Sequence, residues 1–206
     1  AIKYKFPLKH IHKFNLVDYT EDSKTKTQYI VYEKRADGKE HDEMQYLTEL
    51  SDIMENGYET MDRTLIGTYS MFGKQLRFDI SKSVPFLTTK RIPWKMVVKE
   101  LLWFIRGQTD SKILEAEGVN IWRGNSTRKF LDSRGLTQYR EGDVGPMYGI
   151  AFRHYGTMYR GCDQDYTGEG IDQLKILIDE IKSDPHSRRH LMTTLNPCVL
   201  EQSALH

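Results

Sequence analysis

The sequence predicts a mixed α/β (α+β) protein, and three observations carry that expectation. The stretches DEMQYLTELSDIMENG and IPWKMVVKELLWFIRG space their apolar residues as a helix does. GTYSMFGKQLRFDI alternates apolar and polar side chains as a strand does. Short segments that open on a polar residue and close on glycine lie between them. At 206 residues the chain suits one globular domain with an appendage.

The elements follow in order. Residues 1–36 differ from the rest: TQYIVYEKR carries alternating β-formers behind the polar turn EDSKTK, which predicts two strands. RADGKEHDE is a polar, glycine-containing linker. The first long helix places Met44, Leu47, Leu50 and Met54 on one stripe, with Gly57 as its stop. In the alternating stretch Leu76, Phe78 and Ile80 share one face, and Gln75, Arg77 and Asp79 the other. The second long helix has proline near its start and glycine just past its end. DSKILEAEG and NSTRKFLDSRG predict short capped helices, IDQLKILIDEIKSDP an amphipathic one stopped by Asp184-Pro185, and RRHLMTTLNP a buried strand. No internal repeat is present in the sequence.

Composition narrows the function. Lysine and arginine number 30 against 29 acids, so nothing general draws the chain to nucleic acid or membrane, and any anion site is local. No run of about 18 apolar residues exists, and the opening AIKYKFPLKH lacks the apolar stretch of a secretory signal. Cys162 and Cys198 fit neither a disulfide framework nor a metal pattern, so a soluble, cytoplasmic, metal-free protein is expected.

Several residues can carry chemistry. Glu100 leaves its helix among Met96, Val97, Trp103 and Phe104, a greasy setting that suits a proton shuttle; the alternative is an ordinary ion pair with a nearby lysine. Arg63, Arg188 and Arg189 offer planar forks for phosphate oxygens, or are plain surface arginines. Trp122 can face a flat ligand ring or sit in the core. Tyr148, between two glycines, can stand at a tight turn and meet a substrate, or the glycines can mark a plain bend. His154 is read as a packed structural histidine.

The stretches PFLTTKRIPWKMVVKELLWFIRGQT, GVNIWRGNSTRKFLDSRG, EGDVGPMYGIAFRHYG, DYTGEGIDQL and DPHSRRHLMTTLNP, in this order, closely resemble thymidylate synthase over most of residues 43 to 206. The EGD and RHYG wording resembles the eukaryotic-type branch, in which the enzyme can follow a dihydrofolate reductase; VDYTEDSKTKTQYIVYEK is similar to the closing strands of such a reductase. The resemblance implies reductase strands and linker over 1–36 and a synthase domain over 37–206. It further implies a large mixed sheet covered by helices, dimerising through the sheet.

The implied activity is reductive methylation of dUMP to dTMP with 5,10-methylenetetrahydrofolate as methylene donor and reductant. On the same footing Glu100 matches the glutamate that orders water and assists proton transfer. Arg63 matches a mobile-loop phosphate ligand, and Arg188 and Arg189 a pair reaching into the partner subunit's nucleotide site. Ile121, Trp122 and Asn125 match the wall that packs the folate rings, and Tyr148 the tyrosine near the pyrimidine. Leu65 after Arg63-Thr64 departs from the family, as does Arg123 beside the tryptophan. The nucleophile of the family lies in a proline-cysteine-histidine triplet just after the equivalent of NPCVLEQSALH. Cys198 is therefore not expected to be the nucleophile, and the 206-residue chain is expected to be incomplete and inactive alone. The rival readings are a deoxycytidylate hydroxymethylase and a non-catalytic nucleic-acid-binding fragment.

Overall fold

A computed structural model of the chain describes residues 41–61, 66–81 and 84–205. The expected strands and domain boundary within residues 1–40, and Arg63 to Leu65, lie outside the described residues. The chain divides into two compact units, Ala1–Ile92 and Pro93–His206.

In the first unit the predicted helix forms as α1 (Met44–Asn56), burying Leu47 and ending at Gly57. A Cβ at Gly57 would stand 2.3 Å from the Ile53 carbonyl oxygen, so only glycine lets the chain turn there without a clash. Just before α1, the buried Glu43 carboxylate accepts hydrogen bonds from both the backbone N–H and the hydroxyl of Thr88 and of Thr89, at 2.7–3.0 Å. Strands β1 (Tyr58–Thr60) and β2 (Thr68–Ser70) pair antiparallel, Glu59 opposite Tyr69.

The strand expected over residues 67–80 is thus only three residues long. Gly73 adopts φ 75°, which breaks the extended run. Beyond it the side-chain amide of Gln45 occupies the place of a neighbouring strand: Gln45 Nε2 donates to the Arg77 carbonyl at 2.6 Å, and Arg77 N donates back to Oε1 at 2.9 Å. Ile80 is consequently exposed rather than on a buried face.

The second unit is helical. α2 (Trp94–Ile105) follows Pro93 and ends before Gly107, whose φ of 73° turns the chain back. It buries Trp103 and Phe104 while Trp94, Val97, Leu101 and Leu102 stay exposed. α3 (Ser111–Ala116), α4 (Arg128–Ser133) and α6 (Gln173–Ser183) each start where a side-chain oxygen satisfies an orphan N–H: Asp110 accepts from Lys112 N, Thr127 from Phe130 N, and Asp172 from Lys175 N. α5 (Tyr148–Arg153) packs between α2 and α6. Trp103, Leu114, Val119, Leu131, Val144 and Ile150 form the centre of the core.

RRHLMTTLNP does not form the expected buried strand: no strand is assigned there, and Leu191 and Leu195 are exposed. As with Gln45, a glutamine stands in for the neighbour. Gln173 Nε2 donates to the Thr193 carbonyl at 2.8 Å, and Thr193 N donates to Gln173 Oε1 at 3.1 Å. Among the described residues the two-stranded β1–β2 ribbon is the assigned sheet, and no helix is long and apolar enough to cross a membrane.

Candidate active site

Glu100 lies on α2, half-buried, four residues before Phe104 and so on the same helical face. Its carboxylate accepts a 2.7 Å hydrogen bond from the indole N–H of Trp122, which opens the 3₁₀ turn Arg123–Asn125. The ion-pair alternative is not what forms. Lys99 donates instead to the Glu117 carbonyl at 2.5 Å, and no cation pairs with Glu100 among the described residues. An uncharged donor therefore holds this acid, leaving its second oxygen free of protein partners among the described residues.

Phe104 is the centre of the aromatic wall. Its ring meets Trp122 edge-on at 6.3 Å and Tyr148 edge-on at 5.1 Å, both near-perpendicular as ring quadrupoles favour. Tyr148 does not sit in a bare turn as expected; it opens α5, half-buried, and its hydroxyl makes no hydrogen bond among the described residues. The close approach of α5 to the end of α2 depends on Gly149. A Cβ there would stand 2.6 Å from the Gln108 carbonyl oxygen. Glu100, Trp122 and Tyr148 are thus brought together around a residue that entered the sequence reading only as an apolar neighbour of Glu100.

Ile121 precedes Trp122 with its side chain exposed, and Asn125 closes the same turn through its N–H to the Trp122 carbonyl at 3.1 Å. Arg188 and Arg189 lie on the exposed segment after α6, without an ion pair among the described residues. They are not brought into the aromatic cluster. Arg123 lies 4.0 Å from Glu115 on the α3 side.

His154 is packed as expected: Nδ1 lies 3.1 Å from the Glu169 carbonyl and the ring tilts against Tyr166. Cys198 sits exposed on the 3₁₀ turn Pro197–Gln202. Burial, and then the charge of Asp143, push the Cys162 thiol up to about 12, the wrong direction for a nucleophile. No group of three histidine, cysteine, aspartate or glutamate side chains is set to hold a metal among the described residues.

The sequence reading missed one feature altogether. Asp143, 1% exposed, receives hydrogen bonds from Tyr159 Oη at 2.6 Å, Gly145 N at 2.8 Å and Cys162 N at 2.9 Å. Only Gly145 is near it in sequence, so no local pattern reveals the cluster.

A sequence profile of thymidylate synthase matches residues 44–206 of this chain. The chain belongs to the thymidylate synthase family. Its relatives include the bifunctional dihydrofolate reductase-thymidylate synthase of Leishmania major, 48% identical over 166 residues covering 80% of this chain and 32% of that protein. The thymidylate synthase of human herpesvirus 8 is 50% identical over 165 residues, 80% of this chain and 49% of its own length. The bifunctional enzyme of Zea mays is 45% identical over 186 residues, 90% of this chain and 36% of its own. The chain therefore spans about a third to a half of the length of these relatives. Thymidylate synthases are methyltransferases, and these relatives carry synthase names, which does not favour the hydroxymethylase reading.

Proposed function

We propose that the protein converts dUMP to dTMP, taking both the one-carbon unit and the hydride from 5,10-methylenetetrahydrofolate and leaving dihydrofolate. The observation that supports this most is the Trp122–Glu100 hydrogen bond inside the Phe104–Tyr148 wall. The reaction replaces a ring hydrogen at C5 by a methyl group, so a base must remove a proton there. Glu100, aimed by a neutral donor and flanked by aromatic rings, acts as that proton handler through ordered water. Ile121, Trp122 and Asn125 pack the folate ring system, and Tyr148 faces the pyrimidine. Arg63, Arg188 and Arg189 hold the nucleotide phosphate, the last two reaching across a homodimer whose subunits meet through a large mixed sheet. Residues 1–36 belong to a fused reductase, 37–206 to the synthase domain, and the protein is cytoplasmic. Neither Cys162 nor Cys198 is assigned the attacking thiolate.

The test is dihydrofolate formation by the full-length protein supplied with dUMP and methylenetetrahydrofolate. Turnover is expected, and Glu100→Gln should lower kcat by about 100-fold or more, the scale of general acid–base assistance. A full-length protein that binds dUMP yet forms no dihydrofolate would overturn the reading.

A further inference from the structure

Tyr148 reaches the wall at the end of a loop, Asp143 to Met147, whose β pairing among the described residues is a single antiparallel bridge, Asp143 opposite Asp110. The buried Asp143 carboxylate ties that bridge to further stretches of chain. A buried charge is costly unless its lone pairs are satisfied, and no cation pairs with Asp143 among the described residues. Arg140, three residues earlier, commits its fork to Asp110 and Asp163. The three donors on Asp143 are all neutral, and they come from separate stretches: the loop itself, Tyr159 and Cys162.

The network closes into a triangle. Tyr159 Oη lies 2.8 Å from Thr109 Oγ1, while Val144 N donates to the Thr109 carbonyl at 3.1 Å. Thr109 follows Gly107 at the end of α2, the helix that carries Glu100 and Phe104. Burial and the Asp143 charge hold the Tyr159 phenol strongly protonated, so it stays a donor across the working range. Gly145 at φ 80° lets the chain fold its N–H back onto the carboxylate. On the other flank Ala204 N donates to the Val144 carbonyl at 3.0 Å.

We propose that Asp143 is a positioning residue for the reaction, fixing the start of α5 against the end of α2 so that the Tyr148 ring stands beside Phe104. The proposal rests on the synthase reading of Tyr148. It assigns Asp143 no contact with substrate, and it separates orientation, which Asp143 controls, from phosphate binding, which the arginines control.

The experiment uses Asp143→Asn and Tyr159→Phe in the full-length protein, with steady-state kinetics and near-ultraviolet circular dichroism of the aromatic cluster. Asp143→Asn keeps the shape but presents either a donor to a donor or a weaker acceptor. Its kcat should fall about 10- to 100-fold, with the KM for dUMP within about threefold of wild type, as a small misplacement of a reacting geometry does. Tyr159→Phe should fall in the same sense by a smaller factor, with a cooperative melt retained. If kcat stays within about twofold while only the melting temperature drops, or if KM rises with kcat unchanged, the proposal is overturned. Should Asp143→Asn not fold, Tyr159→Phe decides by the same criteria. A wild-type protein without turnover would instead remove the functional reading. The tryptophan band in the dichroism of folded Tyr159→Phe, to which the deleted phenol does not itself contribute, then decides: an altered band supports the positioning role, and an unaltered one overturns it.

Discussion

Trp122 illustrates how one atom decides a residue's role. Its indole ring packs against Phe104 whatever its function, but only the N–H reaches Glu100. Trp122→Phe keeps most of the ring and deletes that donor. A hydrogen bond to a charged acceptor contributes about 1.5–3 kcal/mol to the fold, so the melting temperature should fall by several degrees, and kcat/KM should fall as Glu100 loses the donor that aims it. The cysteines give a second expectation at this scale. Exposed Cys198 should react faster with a thiol reagent than half-buried Cys162, whose thiol is held protonated. Because the Cys162 thiol is raised from 9.0 to about 12, the folded chain keeps that proton longer than the unfolded one. Its contribution to stability is whole below pH 9.0 and is lost as pH rises toward 12, which a set of alkaline melts would follow.

Helices α1 to α4 and α6 were legible in the sequence because their signals are local, whereas α5 was not. Asp110, Thr127 and Asp172 each cap a helix from within three residues, and Gly107, Gly118 and Gly135 turn the chain at helix ends with positive φ. The strands were not, because alternation announces a face without saying what lies alongside it. Residues 75–80 and 190–195 find a glutamine amide there rather than a neighbouring backbone. Gln173→Leu should accordingly raise hydrogen exchange at the Thr193 amide by an order of magnitude or more, since about 1 kcal/mol or more is lost with each such bond. The site follows the same division. The greasy surroundings of Glu100 could be read from its own turn of helix, whereas its partner 22 residues on and the Phe104 link to Tyr148 are products of folding. Gly149 was visible only as a flexible position, and its real constraint is contact. Gly149→Ala, with a Cβ 2.6 Å from the Gln108 carbonyl, should cost about 1–3 kcal/mol by overpacking, measured as a lower denaturation midpoint.

Across the whole molecule, exposed carboxylates that gain cationic partners tie acid stability to surface loops. Asp163, bound by Arg140, and Glu169, bound by Arg160 and Thr157, are held below their ordinary values of 3.8 and 4.5. Such groups stabilise the fold fully above those values and progressively less as pH falls through the lowered ones, so the urea midpoint should decline below about pH 4.5. The proposed exchange of arginines between subunits has its own test. Mixing full-length Glu100→Gln protein with the Arg188→Ala/Arg189→Ala double variant should restore activity that neither has alone, because one site in each mixed dimer would receive an intact set from both partners. Activity that never recovers on mixing would place those arginines in their own subunit's site. The uncovered apolar side chains of α2 and of the 188–195 segment also govern how the 206-residue polypeptide behaves in a tube. With a formal net charge of +1 and an isoelectric point near 7.9, charge repulsion between molecules is weak around neutral pH. The isolated polypeptide should bind hydrophobic dyes, cloud on concentration near pH 8, and clear in buffers a few pH units away or with a mild detergent.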